Sequence, residues 1–260
     1  MKQNCLVCFV LILVAVTGCI SQKTNIIKKG PAMLSRQQDQ VFEKTIPEGT
    51  GSKTVNCKYL LFLPEDYGKK EQLWPMILFL HGMGERGSNL EKVKTHGPPS
   101  IVEKQNNFPF IVVSPQCPQN QMWSDNIDML INLIDDIAGR YDVDTDRIYL
   151  TGLSMGGYGT WSLAAEYPGR FAAIVPICGG GPTEKACNLK NVPIWAFHGA
   201  LDNLVPVNES QVMVQAVNAC GGNARLTVYP DVSHPSWVPA YNNNELYDWL
   251  LTHRRSNTKK

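Results

Sequence analysis

The sequence has little net charge with which to attract a charged partner. Its 260 residues include 24 Lys and Arg against 23 Asp and Glu, a formal charge of +1 at pH 7. Lys2 is the only charged residue before Cys19, so a chain that begins at Cys19 has a charge near zero (+1 − 1 = 0). The composition therefore excludes charge-driven binding to nucleic acid or to an anionic membrane surface.

The sequence also lacks an apolar run long enough to cross a bilayer. The run from Leu6 to Val16 is shorter than the roughly 20 residues that a spanning helix needs. It follows the positive Lys2 and ends in small residues, which is typical of a signal peptide. We assign residues 1–18 to a signal peptide.

The end of that segment, Val16-Thr17-Gly18-Cys19, resembles the lipobox of bacterial lipoproteins, although Val16 stands where leucine is commonest. The resemblance implies that Cys19 becomes the first residue of an exported protein and carries a lipid. The lipid would anchor the chain to a membrane of the bacterial cell envelope. The alternative is an ordinary signal peptide cut near Gly18, which would release a periplasmic or secreted protein.

Cysteines are few beyond the N-terminal segment, and their spacings match no zinc-binding pattern. Their odd number leaves at least one thiol unpaired within a monomer. An exported protein permits disulfides, but the sequence does not identify the pairs. The five cysteines after Cys19 are Cys57, Cys117, Cys178, Cys187 and Cys220.

The remaining chain shows no internal repeat and no break in composition, and its length suits one α/β domain. Residues 20 to about 54 are polar and have no clear periodicity. We therefore assign residues 19–54 to the lipidated cysteine and a tether. A single catalytic domain is predicted at residues 55–256.

Short apolar runs alternate with helical stretches in this domain, which is typical of an α/β fold with a mostly parallel sheet and helices on both faces. The run from Trp74 to Leu80 is almost continuously apolar, as expected of a strand covered on both sides. Residues 128–141 carry apolar side chains at helical spacing. Further strands are predicted at 59–63, 110–113, 148–150, 171–177, 192–197 and 225–229, and further helices at 155–166, 211–219 and 245–254.

The stretch Gly152-Leu153-Ser154-Met155-Gly156 fits the G-x-S-x-G pattern, with a predicted strand before it and a predicted helix after it. A tight strand-to-helix turn holds the serine in a strained backbone conformation, so the residues two positions away on either side must lack side chains. The serine hydroxyl then stands at a helix N-terminus, which favours a developing negative charge. Ser154 is the predicted nucleophile.

A serine nucleophile needs a base and an orienting acid, and in this fold the acid and then the histidine follow the serine at strand ends. Asp202 follows the strand predicted at 192–197, and His234 follows the next one. We predict Asp202 as the orienting acid and His234 as the general acid/base. Asp231 is the rival acid and His198 the rival base, with a turn position and a structural role as their respective alternatives.

Two backbone amides are predicted to hold the oxyanion. One belongs to Met155, directly after the nucleophile. The other belongs to Met83, in a glycine-rich loop after the strand that ends at Leu80. In that loop Glu85 and Arg86 are expected to form an ion pair that fixes the loop, with contact to the substrate as the alternative.

Together these residues resemble the α/β-hydrolase superfamily. Within it they are similar to bacterial esterases related to feruloyl and acetylxylan esterases, polyhydroxybutyrate depolymerases and prolyl-oligopeptidase-type hydrolases. The resemblance covers residues 58–251 and implies an α/β-hydrolase fold without a large lid. The matching stretches are His81 to Gly87, Ser114 to Pro118 with Trp123, Gly152 to Gly157, His198 to Asp202, and His234 with Trp237.

The resemblance implies a serine carboxylesterase that acts through an acyl-enzyme on small-molecule esters, or on acyl or feruloyl groups of carbohydrate. Such a mechanism needs no metal and no organic cofactor. Trp123 is a predicted platform for a sugar or an aromatic acyl group. A small-peptide serine peptidase of prolyl-oligopeptidase type is one alternative, and a lipid-anchored binding protein without catalysis is another.

Overall fold

An eight-stranded sheet forms the centre of the computed structural model, which describes residues 37–69 and 71–255. The strands are β1 (Gln38–Glu48), β2 (Gly51–Phe62), β3 (Trp74–Leu80), β4 (Ile111–Pro115), β5 (Val143–Leu153), β6 (Ala173–Ile177), β7 (Ile194–Gly199) and β8 (Ala224–Tyr229). They lie side by side in the order β1-β2-β4-β3-β5-β6-β7-β8. The β1–β2 and β2–β4 pairs are antiparallel, and every other neighbouring pair is parallel.

Helices cover both faces of the sheet. They are α1 (Gly97–Val102), α2 (Ile127–Arg140), α3 (Met155–Glu166), α4 (Asn208–Ala219), α5 (Trp237–Tyr241) and α6 (Asn244–Leu251). Alternate side chains of β3 point to opposite faces, so Leu78 joins the core under α2, α3 and α4 while Phe79 joins the core under α1, α5 and α6. The predicted α/β-hydrolase fold is confirmed.

The sheet begins earlier in the chain than predicted. β1 pairs with β2 along its whole length, and Phe42 on β1 is buried. Residues 38–54, which the sequence pattern assigned to the tether, therefore belong to the folded domain, and the boundary at residue 54 is wrong. Most side chains of β1 and of the first half of β2 are exposed, so too few apolar residues mark a period of two.

The signal peptide predicted at residues 1–18 lies outside the described residues. The same holds for the predicted lipidation site Cys19 and for the first part of the tether. Within residues 37–69 and 71–255, no helix combines the length and the apolar character needed to span a bilayer.

Two short helices were not predicted. α1 has 6 residues and begins with Pro98 and Pro99 near its N-terminus, where proline is tolerated. α5 has 5 residues and lies between His234 and α6. Helices of this length show too few apolar positions to establish a period of 3.6 residues. Both helices nevertheless pack on the same face of the sheet.

A disulfide joins Cys187 to Cys220. Cys187 lies in a 3-10 turn after β6, and Cys220 caps the C-terminus of α4. The bond closes a loop of sequence separation 33, and this loop includes β7 and Asp202. The other cysteines of the described residues are buried free thiols: Cys57, Cys117 and Cys178.

We expect the double variant Cys187→Ser/Cys220→Ser to unfold at a lower urea concentration than the parent. Cross-linking two residues at a separation of 33 removes conformational entropy from the unfolded chain, which corresponds to about 4 kcal/mol of unfolding free energy. Urea titrations followed by tryptophan fluorescence measure the difference. A reductant should lower the midpoint of the parent and leave that of the variant unchanged, whereas equal midpoints without reductant would show that the bond does not stabilise the fold.

Candidate active site

Ser154 lies at the sharp turn between β5 and α3, in a strained conformation with φ 53° and ψ −116°. The turn depends on the neighbouring glycines. A Cβ atom on Gly156 would lie 1.9 Å from the carbonyl oxygen of Leu80, and one on Gly152 would lie 2.4 Å from the carbonyl oxygen of Gly156. Any side chain at either position would overlap the backbone, so only glycine permits this turn.

The structure brings the three predicted triad residues into one hydrogen-bonded chain. His234 Nε2 lies 3.0 Å from Ser154 Oγ, and His234 Nδ1 lies 2.7 Å from Asp202 Oδ2. The three residues follow β5, β8 and β7, whose carboxyl ends face the same edge of the sheet. With the Nδ1 proton held by the carboxylate, Nε2 is free to accept the serine proton.

Asp202 is fully buried as a side chain, while 15% of the His234 side chain is exposed. The second carboxylate oxygen of Asp202, Oδ1, accepts hydrogen bonds from the amides of Leu204 at 3.0 Å and Val205 at 2.9 Å. Burial alone would raise the pKa of the Asp202 carboxyl, but these two amides and His234 outweigh burial and hold the pKa below its usual value. The carboxylate therefore stays ionised at neutral pH.

A second imidazole also contacts Asp202. His198, which is fully buried, places Nε2 2.9 Å from the carbonyl oxygen of Val205 and 3.3 Å from Asp202 Oδ2. Both neighbours are acceptors, so Nε2 carries a proton. The other nitrogen, Nδ1, lies 2.7 Å from Ser210 Oγ. His198, the rival base, thus supports the acid.

Asp231, the rival acid, is exposed on the loop after β8. The carboxylate on His234 Nδ1 is that of Asp202. Asp202, and not Asp231, is therefore the acid in contact with His234, although both acids follow a strand end in the sequence.

The two predicted oxyanion amides are each the first residue of a helical segment. Met155 follows Ser154 in α3, and Met83 follows Gly82 in a 3-10 turn after β3. The first N–H groups of a helix have no acceptor within it, so they are available to a ligand. A Cβ atom on Gly82 would lie 2.8 Å from Leu153 Cδ1, so this turn packs against the residue directly before the nucleophile.

His81 orients the peptide that carries the Met83 amide. Burial lowers the pKa of His81 to about 4, so the ring is neutral. Its Nε2 accepts from Cys117 N at 3.0 Å, hence Nδ1 carries the proton and donates to the carbonyl oxygen of Gly82 at 2.6 Å. Since that peptide bond is trans and planar, the Met83 N–H points to the opposite side.

Trp123 does not form the predicted substrate platform. Its side chain is 1% exposed, and its Nε1 donates to the carbonyl oxygen of His81 at 2.9 Å. A Cβ atom on Gly159 of α3 would lie 2.6 Å from Trp123 Cβ. The indole is therefore enclosed between the oxyanion loop and the nucleophile helix, and its faces are not available to stack on a ligand.

Glu85 and Arg86, both within the described part of the chain, do not form the predicted ion pair. Arg86 donates instead to the carbonyl oxygens of Met83 and Gln121, both at 3.2 Å. The Glu85 carboxylate lies 3.9 Å from the neutral ring of His81. Arg86 therefore fixes the loop through backbone carbonyls.

Trp237 and Cys178 both lie beside the triad; for Trp237 the sequence leaves shielding of His234 and simple packing open. Trp237 packs edge to face against the ring of His234, with 5.3 Å between ring centroids. Cys178, at φ 40°, places its sulfur within 4.8 Å of ligand atoms of Asp202 and His234. In the described part of the chain Cys178, Asp202 and His234 form the only cluster of potential metal-ligating side chains. Asp202 and His234 are already hydrogen-bonded to each other. No local sequence pattern identifies Cys178 as a neighbour of the triad, because its approach to Asp202 and His234 depends on β6 lying between β5 and β7.

Comparison with known proteins places this chain among hydrolases. A family model described as phospholipase/carboxylesterase matches residues 67–243. The solved structure of a thermostable esterase is similar with a TM-score of 0.69 and 36% identity, over 84% of this chain and 63% of that one. A bifunctional acetylxylan esterase/xylanase of Neocallimastix patriciarum is 26% identical over 184 residues, which are 67% of this chain and 26% of that protein.

The likeness to peptidases is confined to the fold. An acylaminoacyl peptidase of Pyrococcus horikoshii has a TM-score of 0.64 at 15% identity, over 87% of this chain and 43% of that one. The chain spans about a quarter of the length of the acetylxylan esterase/xylanase and less than two thirds of the thermostable esterase. The activities in those names are therefore stated here of those proteins and not of this chain.

Proposed function

The chain is a hydrolase of the phospholipase/carboxylesterase family, and from that premise we propose that it is a serine carboxylesterase that works through an acyl-enzyme. The observation that carries the proposal is the hydrogen-bonded chain from Ser154 through His234 to Asp202, with distances of 3.0 and 2.7 Å. Such a chain raises the reactivity of a serine hydroxyl, which is a poor nucleophile by itself.

In the first step Ser154 Oγ forms a bond to the ester carbonyl carbon while His234 Nε2 takes its proton. The carbonyl oxygen becomes an oxyanion that the amides of Met83 and Met155 hold. Asp202 stabilises the imidazolium that forms on His234. His234 then donates its proton to the alcohol oxygen as the bond from carbon to that oxygen breaks, and the alcohol leaves.

In the second step water attacks the acyl-enzyme. His234 takes a proton from the water, the oxyanion forms again at the same two amides, and the proton returns to Ser154 Oγ as the acid leaves. Each step uses one proton carrier and one oxyanion site. The residues of the triad therefore suffice without a metal or an organic cofactor.

We propose carbohydrates esterified with acyl or feruloyl groups as the substrate class. The support is the similarity to a protein named as an acetylxylan esterase/xylanase. The alternative of a small-peptide serine peptidase has the same triad in its favour, but its structural relatives share only the fold. A binding protein without catalysis is disfavoured because the strained elbow and the complete triad are both kept.

The esterase and peptidase proposals differ in the leaving group. We expect the protein without residues 1–19 to hydrolyse p-nitrophenyl acetate and to leave 4-nitroacetanilide intact, because amide cleavage needs a positioned donor for the leaving amine. Release of the chromophore is followed spectroscopically for both compounds. Comparable rates on the anilide would favour the peptidase. A folded protein that turns over none of the acetate, butyrate and octanoate p-nitrophenyl esters or methyl ferulate would overturn the esterase.

We further propose that the protein is exported and lipid-anchored through Cys19. The proposal depends on the lipobox-like sequence and on the run from Leu6 to Val16. The disulfide between Cys187 and Cys220 supports it, since disulfides persist mainly in oxidising compartments outside the cytoplasm.

A further inference from the structure

A cleft of about 720 Å³ lies between the segment around α1 on one side and α5 with α6 on the other. Its volume falls in the range of small-molecule sites. Trp237 forms part of its wall together with His96, and the two rings lie 5.4 Å apart between centroids. The same indole packs against His234 with a centroid distance of 5.3 Å. One aromatic ring therefore connects the catalytic imidazole with the cleft.

The position of the cleft relates it to the alcohol part of an ester. In the proposed mechanism His234 Nε2, 3.0 Å from Ser154 Oγ, must also reach the oxygen of the leaving alcohol. That oxygen must therefore lie beside the His234 ring. Because Trp237 packs against this ring, a large alcohol group that continues past the indole enters the cleft.

The walls of the cleft are unusually polar for a pocket that would hold an acyl chain. Sites for apolar ligands are lined mainly by hydrophobic side chains with a few polar groups. Here Lys104 and Gln105 lie on one side, and Asn242, Asn244 and Asp248 on the other. Apolar faces remain at Trp237 and Val238, and deeper apolar and aromatic lining comes from Ile101, Phe108, Tyr241 and Tyr247. The combination suits a ring that has hydroxyl groups at its edge and C–H groups on its faces.

The amides of the cleft are available for such hydroxyl groups. Three consecutive asparagines lead from the end of α5 into the first residue of α6, and the middle one, Asn243, accepts from Glu245 N and caps α6. Asn242 and Asn244 on either side of it are exposed, as is Gln105 across the cleft. Among residues 37–69 and 71–255, the side chains of these three have no hydrogen-bond partner. Each amide offers both donors and an acceptor.

We propose that this cleft binds the sugar part of a carbohydrate ester and so selects the leaving alcohol. The proposal rests on the esterase function proposed above and names the alcohol side of its substrate. Gln105 on one wall and Asn242 on the other bind sugar hydroxyl groups, and Trp237 contacts the sugar ring. The acyl group then lies away from the cleft, toward the oxyanion amides.

The test compares two acetate esters that differ only in the alcohol, acetylated xylotetraose and ethyl acetate, in the parent and in the variant Gln105→Ala/Asn242→Ala. Loss of two hydrogen bonds to the sugar should raise KM for the acetylated xylotetraose about tenfold with kcat retained. Kinetics with ethyl acetate and with p-nitrophenyl acetate should not change. Gln215→Ala/Asn191→Ala, which removes two exposed amides outside the cleft, is the matched control and should behave like the parent.

Deacetylated xylotetraose gives a second measurement that does not depend on the acyl group. It should inhibit p-nitrophenyl acetate hydrolysis by the parent and by the control variant, and much less by Gln105→Ala/Asn242→Ala. If the parent hydrolyses p-nitrophenyl acetate but the cleft variant keeps both its KM for acetylated xylotetraose and its inhibition, the cleft proposal is overturned and the esterase stands. A response of octanoate esters alone would overturn it in favour of an acyl-chain site. If the folded parent hydrolyses none of the p-nitrophenyl esters and no methyl ferulate, the esterase proposal fails instead.

Discussion

Replacing Ser154 by alanine should reduce kcat for p-nitrophenyl acetate by about 10⁶-fold, because loss of the nucleophile removes the acyl-enzyme route altogether. The residual rate comes from the oxyanion amides and from substrate binding, which the variant keeps. The variant should also fail to react with a fluorophosphonate probe, which labels activated serines covalently. Stopped assays at high protein concentration measure the residual turnover, and mass spectrometry detects the label.

The matched control is Ser124→Ala, an exposed serine in the turn after Trp123. It should keep the activity and the labelling of the parent. Circular dichroism should show the same fold for both variants. Retained activity in a folded Ser154→Ala protein would mean that another residue attacks the ester, and the acyl-enzyme mechanism would have to be abandoned.

Replacing Asp202 by asparagine should lower kcat by about 10⁴-fold with little change in KM. The amides of Leu204 and Val205 donate to Oδ1, so the asparagine oxygen must occupy that position. Its NH₂ group then faces His234 Nδ1 and donates to it. The ring is forced into the tautomer with the proton on Nε2, which cannot accept the proton of Ser154.

Asp231→Asn provides the comparison, since Asp231 is an acidic residue of the loop that carries His234 and is exposed. We expect kcat and KM of this variant to match those of the parent in a steady-state ester assay. A larger loss of kcat in Asp231→Asn than in Asp202→Asn would show that the orienting acid had been assigned to the wrong residue.

The order of the site along the chain was predictable because its signals are local. The glycine before Ser154 is required by sterics within five residues, because a Cβ on Gly152 would lie 2.4 Å from the carbonyl oxygen of Gly156. The apolar run of β3 likewise indicates a strand covered on both faces without knowledge of its neighbours. Asp202 and His234 were predicted because each follows a predicted strand, and parallel strands bring their carboxyl ends to one edge.

Contacts between distant segments were not predictable in the same way. Trp123 follows a strand end near the site in sequence, yet the close packing of α3 at Gly159 encloses its indole. His198 lies four residues before Asp202, but its contact with the carboxylate depends on how the loop folds back at Val205. The exposed β1 has too few apolar residues to show that it pairs with β2.

The sequence by itself determined the fold class, the strained turn at Ser154 and the chain order of serine, acid and histidine. These depend on periodicity and on sterics between residues close in the chain. The tertiary structure alone decided which of five cysteines pair, where the domain begins, and which aromatic ring borders the site, Trp237 rather than Trp123. Those outcomes depend on the packing of segments far apart in sequence, because burial and close approach are properties of the assembled layers.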